Sequence, residues 1–515
     1  MQDSGVTRVT TSITNVRFSF RCRAQHAARH ACVATREPTT FVHDSPRAAP
    51  RVKVGFVTLG CDKNTVDSER YLAQLAGYGA TAVTDLADAE LIIVNTCGFI
   101  DAAKKESIDA IVDAGRQKAS GACTALVAVG CMVERHKAEL VEALPEVDLF
   151  LGASEMDRLL PDLRERGLIG DAPSLHPGDR LYLGDLPHVR YLKVSEGCDH
   201  GCAFCAIPLM RGRHRSFALD EVVRDAQLLE LQGAREINLV AQDLAHYGRD
   251  RRDGVRLPEL LEALIAGTGV EWIRMLYLYS AGITPRLLEV VGRESRIVPY
   301  LDMPIQHASD PVLARMRRPE RRATIREKVA HFRDVLPDVA IRTTCIVGFP
   351  GETDEDFAIL TEFLEEMQFD RVGAFTYSPQ EGTRAAELPD DVPESTKRDR
   401  LERLTNGQRA ITAERYERKV GQSVRCLVDR AATADSRATA RAPWQADDID
   451  GIVLLDGDAA PGSFVECRMD AVEDDYDFRA TVLRVTADAR SAPAPDRVRR
   501  VLPLAAAATI GSFGR

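Results

Sequence analysis

The chain has 515 residues, 45% of them apolar and 28% charged, with a formal net charge of −11. That length suits about three domains with a core each, and the composition excludes a disulfide-stapled miniprotein, a collagen-like chain and a disordered body. No apolar run is long enough to span a bilayer, and the negative balance disfavours the broad basic surface of a non-specific nucleic-acid binder. Only 10 of the 67 basic residues are Lys, as GC-rich coding produces, so the abundance of Arg says little about function.

Residues 1–51 carry eight Arg against three acidic residues and show no hydrophobic period, which predicts a disordered extension. An over-long gene model is the favoured origin; a transit peptide also fits, and a secretory signal lacks its apolar region. From Val52 the pattern switches to short β-rich runs separated by helical stretches, the rhythm of a parallel sheet with crossover helices. Three runs end in cysteine: VKVGFVTLGC at Cys61, AELIIVNTC at Cys97 and TALVAVGC at Cys131. Ligands of open parallel sheets sit at the carboxyl ends of strands, so three such thiols suit one common site. Cysteine is equally a small hydrophobe that buries well at a strand end, and the runs alone leave both readings open.

A connector containing Pro173, Pro177 and Pro187 separates this domain, residues 52–168, from a second series over residues 185–418. Its predicted strands are 191–195, 236–242, 272–280, 300–306, 340–348 and 371–378, giving six βα units of an open or closed barrel, with functional residues expected at the strand ends. A charged helix near 391–418 leads to a third unit, residues 421–486, whose short β-like runs and Gly/Asp turns predict a small antiparallel barrel. Residues 487–515 read as a disordered tail. The expected fold class is therefore α/β, with an amino-terminal parallel-sheet domain, a central partial βα barrel and a carboxy-terminal β-barrel.

The segment EGCDHGCAFCAIP places Cys198, Cys202 and Cys205 on one loop with C-x3-C-x2-C spacing. Zinc could be held by these thiols with His200, although zinc knots usually come as paired C-x2–4-C elements and no second pair lies nearby. An iron-sulfur cube with three Cys ligands would leave one iron open, which suits chemistry rather than electron storage.

This loop, with Phe204 before its third cysteine, resembles the signature of radical S-adenosylmethionine enzymes. The settings TLGCDKN, NTCGFID and VGCMVE resemble the amino-terminal domain of methylthiotransferases, and the last barrel resembles their TRAM domain. The resemblance spans residues 52–486. It implies a 4Fe-4S cluster on Cys198, Cys202 and Cys205, at which S-adenosylmethionine is cleaved to a 5'-deoxyadenosyl radical that abstracts hydrogen from an unactivated carbon. It implies a second, auxiliary 4Fe-4S cluster on Cys61, Cys97 and Cys131, where sulfide is carried and methylated by a second S-adenosylmethionine.

Other motifs are softer. IVGFPGET, with Gly348 and Gly351, resembles the family's cosubstrate-binding segment and is otherwise a tight turn. Gln242 and Asp243, and Gln306 and His307, sit at predicted strand ends and suit cosubstrate contacts at a barrel mouth; Arg342 suits the cosubstrate carboxylate or a surface pair. RGRHRS, residues 211–216, fits a contact to substrate or cosubstrate as well as it fits a solvated basic loop. No chemistry is assigned to Cys22, Cys32, Cys123, Cys345, Cys426 or Cys467.

Within the family the target is either a transfer-RNA adenosine or an aspartate of ribosomal protein S-twelve. Residues 421–486 hold seven Arg, no Lys and thirteen Asp or Glu, which is wrong for gripping RNA and complementary to a basic ribosomal protein. VAQDLAHYG and APWQADDIDGIVLL resemble the protein-modifying type, with Asp447, Asp448 and Asp450 as candidate acidic contacts. The expectation is an enzyme of a reducing cytoplasm, needing an electron donor and a sulfur donor but no membrane. Transfer RNA is the partner only in the alternative, and an inactive ribosome-associated binding protein with a structural metal is a further one.

Overall fold

The computed structural model describes residues 14–16, 38–40, 52–170 and 186–490. Residues 1–49 form a unit of their own, in which Thr14–Val16 pairs antiparallel with Pro38–Thr40. The rest of that extension, with Cys22 and Cys32, lies outside the described residues, as do most of the predicted connector and all but the first residues of the predicted tail.

The domain that opens at Val52 has five parallel strands: β1 (Lys53–Thr58), β2 (Thr81–Val83), β3 (Leu91–Thr96), β4 (Ala125–Gly130) and β5 (Leu149–Gly152). Their order is β2-β1-β3-β4-β5. Helices cover both faces, so LIIVNT and ALVAVG are buried at every residue and read as unbroken apolar runs rather than alternating ones. Sequence reading missed β2 and β5, because three or four residues without strong period give no strand signal. The strand order reverses between β1 and β3, which opens a crevice at their carboxyl ends.

The second domain has six parallel strands in sequential order: β6 (Val189–Lys193), β7 (Glu236–Val240), β8 (Trp272–Met275), β9 (Ile297–Asp302), β10 (Ala340–Val347) and β11 (Arg371–Thr376). The sheet is open, so the six βα units form a partial barrel. Side chains alternate along each strand. Ile237, Leu239, Ile273, Met275, Leu301, Ile341 and Val347 face the helices and form the largest core. The opposite face carries Glu236, Arg274, Tyr300 and Arg342, and it is covered by the third domain.

That domain is a closed five-stranded barrel, β12 (Ser423–Arg430), β13 (Ala438–Arg441), β14 (Val453–Asp456), β15 (Phe464–Glu473) and β16 (Asp477–Ala487). Cys426 and Cys467 are buried inside it. Sequence reading missed β13, whose ATAR carries no β-rich apolar run. The helix Glu394–Glu417 precedes the barrel as expected. Trp272, Val298 and Tyr300 of the sheet pack with Trp444, Phe464 and Phe478 of the barrel in one apolar cluster. Beneath it lies a polar seam in which Arg441 meets Glu236 at 2.7 Å and Asp429 at 2.7 Å, while Arg274 meets Glu236 at 2.8 Å. Among the described residues no helix is long and apolar enough to cross a membrane.

Candidate active site

Cys61, Cys97 and Cys131 follow β1, β3 and β4, so all three thiols stand at the crevice where the strand order reverses. Cys61 caps the helix Asp62–Gly77, and Cys131 is the first residue of the helix Cys131–Ala143. Burial raises the Cys131 thiol, with the Arg211 guanidinium acting against it. Two glycines let the chain pass this closely. At Gly60 (φ +87°) a side-chain carbon would lie 2.8 Å from the sulfur of Cys97, and at Gly130 (φ +101°) it would lie 2.4 Å from Asn95 Oδ1. Ser107 holds Cys97 by accepting from its N–H at 2.9 Å and donating to its carbonyl at 3.0 Å. Burial, with Cys61 and Cys131 next door, pushes the Cys97 thiol up to about 12. A buried thiol whose ionisation is opposed by two neighbouring thiols suits a cationic metal centre shared with them.

The second trio sits on the loop after β6. Ser195–Glu196 pairs antiparallel with Arg215–Ser216, so the two strands tie off the loop at its base. Burial pushes Cys198 up to about 11 and Cys205 up to about 12, with Cys202 acting on both. A guanidinium serves this trio: Arg318 donates to Cys202 Sγ at 3.7 Å and lies 4.0 Å from the centre of the Tyr279 ring. His200 stacks on Tyr279 with ring centres 3.9 Å apart and pairs with Asp243 at 2.7 Å. His200 therefore turns away into this stack, towards Asp243 and His246, which argues against the Cys3His zinc reading.

The softer candidates fall into two groups. Phe204 and Phe349, the latter within IVGFPGET, join one apolar cluster, which places that turn beside the cysteine loop. Gly348 (φ +71°) and Gly351 (φ +75°) both need positive φ, and Glu352 accepts from the N–H of Gly348 at 2.8 Å. Gln242 donates to Glu196 at 2.8 Å, and its buried carbonyl oxygen has no hydrogen-bond partner among the described residues. Gln306, in the left-handed region at φ 71°, ties its backbone to Thr344. Other candidates are committed to the scaffold. Asp243 accepts from the backbone N–H groups of Ala245 and Tyr279, and its carboxyl is held well below the usual range by its histidine partners against the cost of burial. His307 is wholly buried and accepts from the Ser309 N–H. Arg342 neither reaches a surface partner nor stands free, because it pairs with Asp302 at 2.9 Å and Asp450 at 3.7 Å across the barrel seam.

The acidic stretch of the third domain also divides. Asp450 is fully buried, accepting from Tyr300 and from the Ala446 N–H, so it belongs to the fold and not to a docking surface. Asp447 faces Tyr191 at 3.4 Å, and burial raises its carboxyl to about 8. Asp448 alone of the three is exposed. Elsewhere in the barrel Glu466, Asp470 and Asp456 pair with Arg484, Arg468 and Arg437, so net charge overstates the acidity open to a partner.

Sequence reasoning missed Arg318, Lys63 and the true setting of Arg211. Lys63 is buried, lies 3.1 Å from the centre of the Tyr277 ring, and has no ion pair among the described residues. Its place two residues after Cys61 was its one signal. Arg211 is partly buried, its side chain only 8% exposed, whereas Arg213 in the same basic run is fully exposed. The two trios are brought side by side, since Cys131 packs against Ala206, which directly follows Cys205, and against Met210, five positions after it.

A partial βα barrel with a three-cysteine loop at the end of its first strand defines a radical S-adenosylmethionine enzyme. The comparisons agree: residues 192–364 match the Radical SAM superfamily, 53–152 match the Uncharacterized protein family UPF0004, and 420–483 match the TRAM domain. The chain belongs to the family of the ribosomal protein uS12 methylthiotransferase RimO. It is 44% identical to that protein of an Anaeromyxobacter species over 88% of this chain and 96% of the relative, and 42% identical to that of Geobacter sulfurreducens over 84% and 98%. Among solved structures, the radical S-adenosylmethionine methyltransferase TsrM from Kitasatospora setae is similar over 75% of this chain and 79% of its own, at 12% identity and a TM-score of 0.49. Enzymes of the superfamily are built around a 4Fe-4S cluster and S-adenosylmethionine, and membership of this family makes the chain an enzyme of that class.

Proposed function

We propose that this enzyme installs a methylthio group on the β-carbon of an aspartate of ribosomal protein uS12, with Cys198, Cys202 and Cys205 holding the radical cluster and Cys61, Cys97 and Cys131 holding a second 4Fe-4S cluster. The observation that supports the reading is the packing of Cys131 against Ala206, beside Cys205, because passing sulfur to a substrate radical requires the two proposed cluster sites to be neighbours. When bound, the clusters and cosubstrate supply homolytic C–H activation and a transferable sulfur, neither of which a side-chain base could provide.

The protein's own residues do the rest. Thiols at two helix amino termini are poised to ligate, and Gly60 and Gly130 let them converge. Phe204 and Phe349 wall one side of the loop with apolar surface and keep water from it. Gln242 and the backbone at Gly348 and Gly351 would orient the cosubstrate, with Phe204 beside them. Gln306, Asp243 and Arg342 act behind them as supports. Lys63, buried beside Cys61 and in no ion pair among the described residues, suits the carboxylate of a target aspartate, whose charge would offset the lowering of the ammonium's pKa by burial. Asp448 and other exposed acids of the barrel suit a basic protein; transfer RNA is the weaker partner, and the curated relatives carry the uS12 name. Cytoplasm, an electron donor and a sulfur donor complete the proposal.

The test is mass spectrometry of uS12 and of total transfer RNA from cells with and without the gene. Loss of the methylthio adduct from the uS12 aspartate alone supports the reading, and loss from transfer RNA alone overturns it.

A further inference from the structure

Arg211 is the last residue of the short helix Ile207–Arg211, six positions after Cys205, and thus belongs to the radical-cluster loop. Its side chain leaves that domain. Nε donates to the sulfur of Cys131 at 3.1 Å, one terminal nitrogen donates to Asp67 at 2.8 Å and Glu196 at 3.3 Å, and the other donates to Asn64 Oδ1. Asn64 in turn donates to the carbonyls of Leu59 and Thr96, which lie just before Cys61 and Cys97. All three walls of the amino-terminal trio are therefore tied, directly or through one residue, to a guanidinium that the other cluster loop supplies. The acidic partners are shared, since Asp67 and Glu196 both also bind Lys193.

The geometry assigns Arg211 as a positioning residue of the amino-terminal cysteine trio: it fixes Cys131 and, by its N–H on the ligating sulfur, raises the reduction potential of the cluster bound there. This rests on the reading that Cys61, Cys97 and Cys131 hold a cluster. The cause is general, because a donor and a positive charge at a ligating sulfur stabilise the more negative, reduced state. Lysine cannot replace it, since the four acceptors need the fork of a guanidinium and a single ammonium cannot reach them together.

The experiment uses the full chain, anaerobically reconstituted, with Cys198, Cys202 and Cys205 all changed to Ala so that the amino-terminal cluster is observed alone. Iron content and a redox titration followed by electron paramagnetic resonance are compared for that parent and for Arg211→Lys and Arg211→Met within it. The expected result is about four iron atoms per chain in the parent and in Arg211→Lys, with the midpoint lowered in Arg211→Lys and lowered further in Arg211→Met. Loss of iron from Arg211→Met alone, with the Arg211→Lys midpoint lowered, also supports the assignment. In the reciprocal background, with Cys61, Cys97 and Cys131 changed to Ala, Arg211→Lys should leave the midpoint in place. An unchanged midpoint in an iron-loaded Arg211→Lys, an equal shift in the reciprocal background, or loss of iron from both variants overturns it. A parent without any cluster instead overturns the reading of the trio itself.

Discussion

Arg441→Met tests the polar seam that joins the carboxy-terminal barrel to the sheet. The guanidinium is 1% exposed and binds two buried carboxylates, Glu236 at 2.7 Å and Asp429 at 2.7 and 3.1 Å. Removing one member of a buried pair leaves a desolvated charge and typically costs about 3–5 kcal/mol. Each carboxylate here keeps a second partner, Arg274 at 2.8 Å for Glu236 and His188 at 3.1 Å for Asp429, which places the expected loss near the lower end, about 3 kcal/mol. Arg437→Met is the control: its pair with Asp456 is half exposed, and such pairs are worth about 0–1 kcal/mol. Urea unfolding followed by tryptophan fluorescence suits the question, because the two Trp residues of the chain, Trp272 and Trp444, both lie in this seam's apolar cluster. Sign follows from charge. Both carboxyls are held below their ordinary range in the fold, against burial, by Arg441 first among their partners. Their contribution is present above about pH 4 and is lost as pH falls through the folded values, so wild type and Arg441→Met should converge in acid. Equal losses from Arg441→Met and Arg437→Met at neutral pH would refute the reasoning.

Four further outcomes are expected. Asp447, raised to about 8 by burial, favours the fold while protonated and opposes it increasingly as pH rises from about 4 to 8, so Asp447→Asn should gain stability over wild type across that window in the same urea assay. Gly130→Ala forces a side chain into the left-handed region and against Asn95 Oδ1 at 2.4 Å, and should cost about 1–3 kcal/mol and strip iron from the amino-terminal site while the radical site stays loaded. Changing either cysteine trio to Ala should halve the iron of the reconstituted protein from about eight atoms to about four, measured by a colorimetric iron assay. Lys63→Met should raise KM for a uS12-derived substrate about tenfold in steady-state assays, as the loss of one charge-assisted hydrogen bond implies, with the iron content of the reconstituted protein unchanged.

The three-domain order and both cysteine trios were legible because each has a signal local to the sequence: buried parallel strands read as apolar runs, and metal-ligand spacing repeats within a loop or at strand ends. Short edge strands such as Thr81–Val83 were not legible, since their pairing is decided by the neighbouring strand. Burial of charge was the larger omission. Asp450 and Asp448 stand two residues apart in one acidic run, yet one is sealed beneath Tyr300 and the other exposed. Arg211 and Arg213 differ in the same way. Composition sums such charges as equals, whereas tertiary contacts divide them into those that hold domains together and those left to meet a partner.

The seam between sheet and barrel also bears on how this architecture can be cut. By sequence the 66 residues 421–486 look like a detachable adaptor. Physically they are half of a joint whose other half, Glu236, Arg274, Tyr300, Arg342 and Arg371, is scattered over five strands of the sheet. A chimaera that exchanged the adaptor alone would mate two unmatched charge patterns, and a truncation would uncover Trp272 and Tyr300 to solvent. Transplanting substrate choice between relatives therefore requires carrying those sheet positions along, and drift on one side of the joint must be answered on the other.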